Sequence, residues 1–290
     1  MSRGARYAAH AFAWTAAWSE ADLGLLDHAA ELGLDALEIP LLDLDAVDPA
    51  AIRARAQRAG VDVITSTILG AETDPTSDDP ARRDAAIAHL VACVDAAAAM
   101  GATVLGGVTY GPHLVASDAP PARRHRARSA EALAVAARHA APRGVTIAIE
   151  PVNRYESSLV NTAAQAAELA DLTGEPNVAL HLDTYHMNIE ERDMAEAFRR
   201  FADRIVHVHL TESHRGVPGT GRVDWAGVLG ALSDAGYDGY LGLEAFSDRS
   251  PLAAATFTWR ELGPPSDVLV RDGLAFVKGL MAPRVGPLSG

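Results

Sequence analysis

Four stretches in the second half of the chain each bring a side chain able to hold a cation or move a proton. The apolar runs Val145–Glu150 and Val178–Asp183 end in carboxylates, Ile205–Leu210 contains His207-Val208-His209, and Glu244 directly follows Tyr240–Leu243. Glu150, Asp183, His209 and Glu244 are spaced by 33, 26 and 35 residues, each near the length of one strand-helix unit. On successive parallel strands ~4.8 Å apart, four such side chains can converge on one ion. Three carboxylates and one imidazole form a mostly hard, oxygen-rich donor set. It suits manganese, magnesium or cobalt better than a structural zinc, which favours thiolates. An octahedral ion held by four protein ligands keeps two positions for adjacent oxygens of a substrate. Any one of these carboxylates alone reads equally well as a salt-bridge partner or a helix cap; four in the same relative place are harder to dismiss.

His181 and His207 stand two residues before Asp183 and His209. They face the same way one layer deeper, either holding the ligands by hydrogen bonds or serving as satisfied core histidines. Glu38, near the end of another apolar run, reads as structural polar support. His10, Phe12 and Trp14, with Tyr110 and His113, are candidates for a pocket wall, and the aromatics fit a core equally well.

Elements that place these residues can be read from the alternation of short β-branched runs with longer amphipathic ones. The spacing predicts strands at 7–13, 36–39, 61–65, 103–108, 145–150, 178–183, 205–210 and 240–243. Helices are predicted near 19–32, 49–59, 80–100, 122–141, 162–173, 190–202, 224–235 and 267–281. Asp48-Pro49 and Asp79-Pro80 are helix starts, and Gly60, Gly101 and Gly174 are helix stops. Eight such units predict an α/β chain folded as a single (β/α)8 TIM barrel, one domain over residues 1–290. A doubly wound sheet would carry a Gly-rich phosphate loop after an early strand, and none is present. The stretch 245–267 reads as a loop and short helix over the barrel mouth. Reactive groups in such barrels sit at the C-terminal ends of the strands, which is where the four candidates fall.

With 25 basic and 38 acidic residues in 290, the formal charge is −13, which disfavours a nucleic-acid partner. The one basic cluster, Arg123 to Arg128, lies inside a helical pattern and reads as a solvated face. The only lysine is Lys278, which argues against Schiff-base chemistry. The single cysteine, Cys93, allows no intrachain disulfide and reads as a small buried hydrophobe. No charge-free run of 18 apolar residues predicts a membrane span, and no secretory signal pattern opens the chain, so cytoplasm is the expected location.

Longer motifs surround the four candidates: Glu150-Pro151-Val152-Asn153-Arg154-Tyr155-Glu156, then Leu182-Asp183-Thr184-Tyr185-His186-Met187-Asn188-Ile189-Glu190-Glu191, then His207-Val208-His209-Leu210-Thr211-Glu212-Ser213-His214-Arg215, then Gly219-Thr220-Gly221 and Glu244, with Leu37-Glu38-Ile39-Pro40 earlier. Together they resemble the ketose 3-epimerases (the D-tagatose and D-allulose, or D-psicose, 3-epimerases) of the xylose-isomerase-like barrel superfamily. The likeness runs from the Trp14 region to Trp259-Arg260. It implies one divalent ion, Mn2+ before Co2+ or Mg2+, on Glu150, Asp183, His209 and Glu244. It implies Glu150 and Glu244 as the two acid-base carboxylates, and Glu156, His186 and Arg215 as the groups that hold the oxygens at C1 to C3. It also implies a free ketose as substrate and a homodimer or homotetramer. Thr211, His214, Ala245 and the loop Tyr110-Gly111-Pro112-His113 depart from the family pattern at the pocket wall, which leaves the preferred ketose open.

The implied chemistry is removal of the C3 proton beside the C2 ketone, through a cis-enediolate stabilised by the ion, with one glutamate on each face of the sugar. The competing readings are an aldose-ketose isomerase or a keto-sugar lyase on the same barrel. The absence of a lysine near the rim counts against the isomerases that use one. A three-metal endonuclease of the superfamily is disfavoured by the charge. A sugar-binding barrel without turnover is disfavoured by the intact ligand set.

Overall fold

The computed structural model describes residues 4–115, 120–246 and 252–282. Eight parallel strands close into one barrel in sequence order: β1 (Arg6–His10), β2 (Ala36–Pro40), β3 (Asp62–Ile68), β4 (Val104–Val108), β5 (Thr146–Ile149), β6 (Val178–Asp183), β7 (Ile205–Leu210) and β8 (Tyr240–Leu243), with β8 returning to β1. The predicted (β/α)8 barrel is therefore the fold.

Helices α1 (Leu25–Glu31), α2 (Pro49–Ala59), α3 (Pro80–Met100), α4 (Arg123–Ala140) and α5 (Ala163–Thr173) alternate with the strands. They are followed by α6 (Thr184–Glu190), α7 (Met194–Phe201), α8 (Trp225–Asp234) and α9 (Ser266–Met281). Their ends follow local chemistry. The Asp48 carboxylate accepts the N–H groups of Ala50 and Ala51 ahead of Pro49, and Asp79 accepts that of Ala81 ahead of Pro80. Thr162 and Gln165 form a capping box at the start of α5. Gly60, Gly101 and Gly174 end α2, α3 and α5 in the left-handed conformation.

Several boundaries differ from expectation: β3 runs on to Ile68, and the helix expected at 19–32 is a 3-10 helix over Glu20–Gly24 followed by α1. The first strand stops at His10, because the His10 ring accepts the Phe12 N–H and turns residues 11–13 into a 3-10 helix. The helix expected at 190–202 is the shorter α7, and α6 stands before it as a separate, unexpected helix. Asp183 caps α6 immediately after β6, and Asp193 starts α7 by accepting the Glu196 N–H. Between β8 and α9, residues 252–257 are turns rather than a helix, and residues 247–251 of that expectation lie outside the described residues.

The main core fills the shell between barrel and helices, with Leu26, Ile52, Leu90, Leu133, Phe198 and Val228 fully buried. Cys93 belongs to it, with its thiol pushed up to about 12 by burial. Inside the barrel a separate small cluster of Ala8, Ala36, Ile64, Val104, Ala148 and Tyr240 closes the N-terminal end. Above it lies a polar layer of histidines. Its volume comes from neighbouring glycines: a Cβ at Gly106 would lie 2.9 Å from His181 Nδ1, and one at Gly242 would lie 2.9 Å from His207 Cε1. No helix among the described residues is long and apolar enough to cross a membrane.

Candidate active site

The register of β6 and β7 pairs His181 with His207 and Asp183 with His209, so each strand presents two inward side chains, one above the other. Glu150 follows the last residue of β5, and Glu244 the last residue of β8. The upper layer converges on His209. Its Nδ1 lies 3.2 Å from Glu150 Oε1 and 3.9 Å from both Asp183 Oδ2 and Glu244 Oε1. One donor atom each from Glu150, Asp183 and His209 lies within 4.8 Å of the others, in a form that can hold a metal ion. The structure thus brings all four sequence candidates together.

Electrostatics favours a cation at this point. His209 Nδ1 is buried and has no hydrogen-bond partner, yet three carboxylates face it. Burial pushes the Asp183 carboxyl well up, and the nearby Glu244 pushes it further. Glu244 is itself raised, first by burial and then by Glu150 and Glu38, against the pull of His209 and Arg215. Burial opposes a charge on His209, but Glu38, Glu244 and Glu150 outweigh it and raise the imidazole well above its ordinary range. A cluster that draws a proton onto an imidazole so strongly carries the excess negative charge that a divalent cation neutralises. The buried three-carboxylate, one-imidazole donor set therefore fits such an ion.

Two of the candidate ligands, Asp183 and His209, are anchored by hydrogen bonds. Asp183 Oδ1 accepts the Tyr185 N–H at 2.6 Å as the cap of α6, and Oδ2 accepts the Thr211 hydroxyl at 3.2 Å. His209 Nε2 donates to Glu38 Oε2 at 2.8 Å, and His207 Nε2 donates to the same oxygen at 2.7 Å. Of the two readings for His207, the structure shows a hydrogen bond to the carboxylate behind a candidate ligand, His209. His181 Nδ1 accepts the Gly107 N–H at 3.3 Å and lies 3.7 Å from Glu150 Oε2. His181, His207 and His209 also group within ligating distance of one another. Glu38 engages Nε2 of both His207 and His209, and His181 Nδ1 takes a backbone N–H, so His181 and His207 back the upper site to which His209 belongs.

A cavity of about 240 Å³ opens above these groups, lined by Glu150, Glu156, His186, Arg215 and Glu244. Its walls are apolar: Phe12, Leu42, Ile68, Val108, Phe246 and Leu252 among them. Glu156 accepts from His113 Nε2 at 2.9 Å, Asn153 Nδ2 at 2.8 Å and Arg215 Nη2 at 3.2 Å. Burial raises its carboxyl, but His113, His186 and Arg215 outweigh that and hold it at about 2. His186 Nδ1 accepts the Asn153 backbone N–H at 3.1 Å. Burial lowers its pKa to about 4, so the ring is neutral and carries its proton on Nε2, which lies 3.9 Å from Asp183 Oδ2. The Arg215 guanidinium lies over the Tyr185 ring at 4.0 Å, with Nη1 3.5 Å from Glu244 Oε2.

The wall candidates separate. His113 lines the cavity. His10 is buried below it, its Nε2 3.0 Å from the Ser66 hydroxyl and 3.7 Å from Glu38 Oε1. Tyr110 is fully buried and donates to the Val160 carbonyl, so it is core behind the wall. Trp14 is not among the cavity-lining residues. Its indole N–H donates to Asp267 at 2.7 Å, and its ring packs edge-on against His28, which pins the first loop to the start of α9. A larger depression of about 690 Å³ lies at the N-terminal rim beside Thr146, Val178 and Asp203, away from all these groups.

Sequence reasoning gave no role to Glu212. Its carboxylate accepts five N–H groups: those of Ser213, Arg222 and Val223 on Oε1, and those of Gly219 and the Trp225 indole on Oε2. It thereby shapes the loop that holds Arg215 at φ +64. The sequence marks this loop only by Gly216, Gly219 and Gly221 following Glu212.

Comparison with known proteins bears on this geometry. Residues 26–279 match the xylose isomerase-like TIM barrel family. The chain is 38% identical over 276 residues to an L-ribulose 3-epimerase of Methylomonas sp. (strain DH-1), covering 94% of this chain and 96% of that protein. It is 34% identical over 280 residues to a ketose 3-epimerase of Arthrobacter globiformis, covering 93% and 96%. Among solved structures, D-allulose 3-epimerase from Methylomonas sp. in complex with D-allulose superposes with a TM-score of 0.90 at 38% identity, covering 95% of this chain and 97% of the other.

Proposed function

Since the chain belongs to the ketose 3-epimerases of the xylose isomerase-like TIM barrel family, we propose that it interconverts free ketoses by inverting C3, with a divalent cation held by Glu150, Asp183, His209 and Glu244. The observation that carries this reading is the convergence of three carboxylates on the unpartnered Nδ1 of His209, at the floor of a cavity that Glu156, His186 and Arg215 also line. Manganese is the ion proposed, with cobalt or magnesium as substitutes. When bound, the ion supplies Lewis acidity to the substrate oxygens at C2 and C3, which makes the C3 proton acidic enough for a carboxylate to remove.

The chain's own groups do the rest. Glu150 and Glu244 work from opposite sides of the sugar: one takes the C3 proton and the other delivers a proton to the far face, and the reverse reaction exchanges their roles. His186, neutral and protonated on Nε2, donates to an oxygen near C2. Arg215 stays charged at any working pH and presents a planar fork to the C1 end. Glu156, ionised and held by Asn153 and His113, accepts from sugar hydroxyls. Substrates proposed are the D-allulose/D-fructose and D-tagatose/D-sorbose pairs and the ribulose/xylulose pentuloses. Arg215 is the sole Lys or Arg lining the cavity among the described residues, and it is already engaged by Glu156 and Glu244, which favours free over phosphorylated sugars.

The test is to strip the protein with a chelator, restore Mn2+, and incubate it with each ketose in turn, separating products by chromatography. Appearance of the C3 epimer only in the restored sample is the expected result. An aldose product instead would move the assignment to an aldose-ketose isomerase. No conversion of any ketose would overturn the proposal.

A further inference from the structure

Glu38, on β2, is a fully buried carboxylate that reaches across the barrel interior to β7. A carboxylate in a barrel interior costs several kcal/mol to desolvate unless its partners are good. Its ion-pair partners among the described residues are imidazoles: His207 and His209 on β7, both donating to Oε2, and His10 on the adjoining strand, 3.7 Å from Oε1. Strands β2 and β7 are not neighbours in the barrel, so the side chain spans the interior to reach them.

We propose that Glu38 is a positioning residue for the cation site: by accepting the Nε2–H of His209 it fixes the ring so that Nδ1 presents its lone pair to the space shared by Glu150, Asp183 and Glu244. The two ring nitrogens cannot exchange these roles, because an ionised carboxylate only accepts hydrogen bonds. A His209 with its lone pair on Nε2 would set two acceptors 2.8 Å apart in a dry interior. His207 braces the arrangement by donating to the same oxygen, which holds the carboxylate against β7 whether or not His209 moves. Outer-shell partners of this kind change metal affinity by ~10–100-fold when removed.

This inference rests on the reading that His209 Nδ1 holds a divalent cation, so the experiment measures binding apart from turnover. Chelator-stripped wild type, Glu38→Ala and Glu38→Gln are titrated with Mn2+ by calorimetry. The bound Mn2+ is then examined by pulsed EPR for nitrogen modulation from a coordinated imidazole. Wild type is expected to bind with clear modulation. Glu38→Ala is expected to bind ~10–100-fold more weakly, with the modulation lost or altered and the circular dichroism retained. Glu38→Gln keeps an acceptor oxygen but not its charge, and is expected to fall between the two; it carries the test if the alanine variant does not fold. Wild-type affinity and unchanged modulation in either folded variant would overturn the inference and leave the metal reading standing. A wild type that takes up no Mn2+ would overturn both.

Discussion

Replacing Glu212 with glutamine should loosen the loop that presents Arg215. In the wild type the two carboxylate oxygens share five N–H donors at 2.8–3.2 Å. An amide has one accepting oxygen and one NH2, so whichever way the new side chain is turned, at least the two donors on the Oε2 side, or the three on the other, would face another donor. Each buried donor left unsatisfied costs about 1–3 kcal/mol, and partial rescue by water at the loop brings the pair to about 2–4 kcal/mol. For a chain of this size that is a fall in Tm of about 4–8 °C. Because the same loop holds Arg215 at φ +64 against Tyr185, KM should rise more than kcat falls.

Acid dependence gives an independent check on the same carboxylate. Burial raises Glu212, but the Trp225 indole and the loop N–H groups outweigh it and hold the carboxyl at about 2 in the folded protein. Its stabilising contribution is therefore present above the ordinary carboxylate range and is lost as pH falls from there toward 2. The glutamine variant should lose less stability over that interval than wild type. Thermal unfolding at several pH values and steady-state kinetics with a ketose measure both effects. A variant within about 1 °C of wild type with unchanged KM would refute the reasoning.

Other consequences are simpler to state. Glu244→Gln should lower turnover by ~10³-fold or more while the fold persists, read by product formation and circular dichroism, and near-wild-type activity would sink the two-carboxylate scheme. Saturating Mn2+ should raise the stability of the stripped protein by about 2.7 kcal/mol at one hundred times Kd, measured as a Tm shift that His209→Ala abolishes. Arg215→Lys removes the planar fork and the stacking on Tyr185, and KM should rise ~10-fold or more. Gly107→Ala should destabilise the barrel by roughly 2–6 kcal/mol in urea unfolding, since the residue sits at φ +94 and a Cβ would meet the Thr67 carbonyl at 2.3 Å.

The barrel and the four ligand candidates were legible because both leave local marks. β-Branched runs, Asp-Pro starts and glycine stops set the elements, and a repeat near one strand-helix unit placed Glu150, Asp183, His209 and Glu244 at equivalent strand ends. The short helix α6 was less visible: Asp183 is read both as a ligand and as its cap, and a seven-residue helix shows little periodicity. Contacts between distant elements leave no local pattern at all. Nothing near Glu38 announces that its carboxylate meets His207 and His209 across the barrel. Trp14 looked like a pocket aromatic because it follows β1, but its partner Asp267 lies 253 residues away and turns it toward α9. Tyr110 follows β4 in the same way and is drawn into the core by the Val160 carbonyl.

The central claim is proton exchange at C3 by the carboxylates around His209, and isotope incorporation tests it most directly. Mn2+-restored protein is incubated with D-allulose, D-fructose, D-tagatose and L-ribulose separately in deuterated water, and the sugars are read by NMR. Deuterium at C3 of substrate and epimer, with C1 untouched and no epimer formed by Glu150→Gln or Glu244→Gln, is the predicted result. Epimerisation without deuterium at C3, or exchange at C1 with an aldose forming, would contradict it.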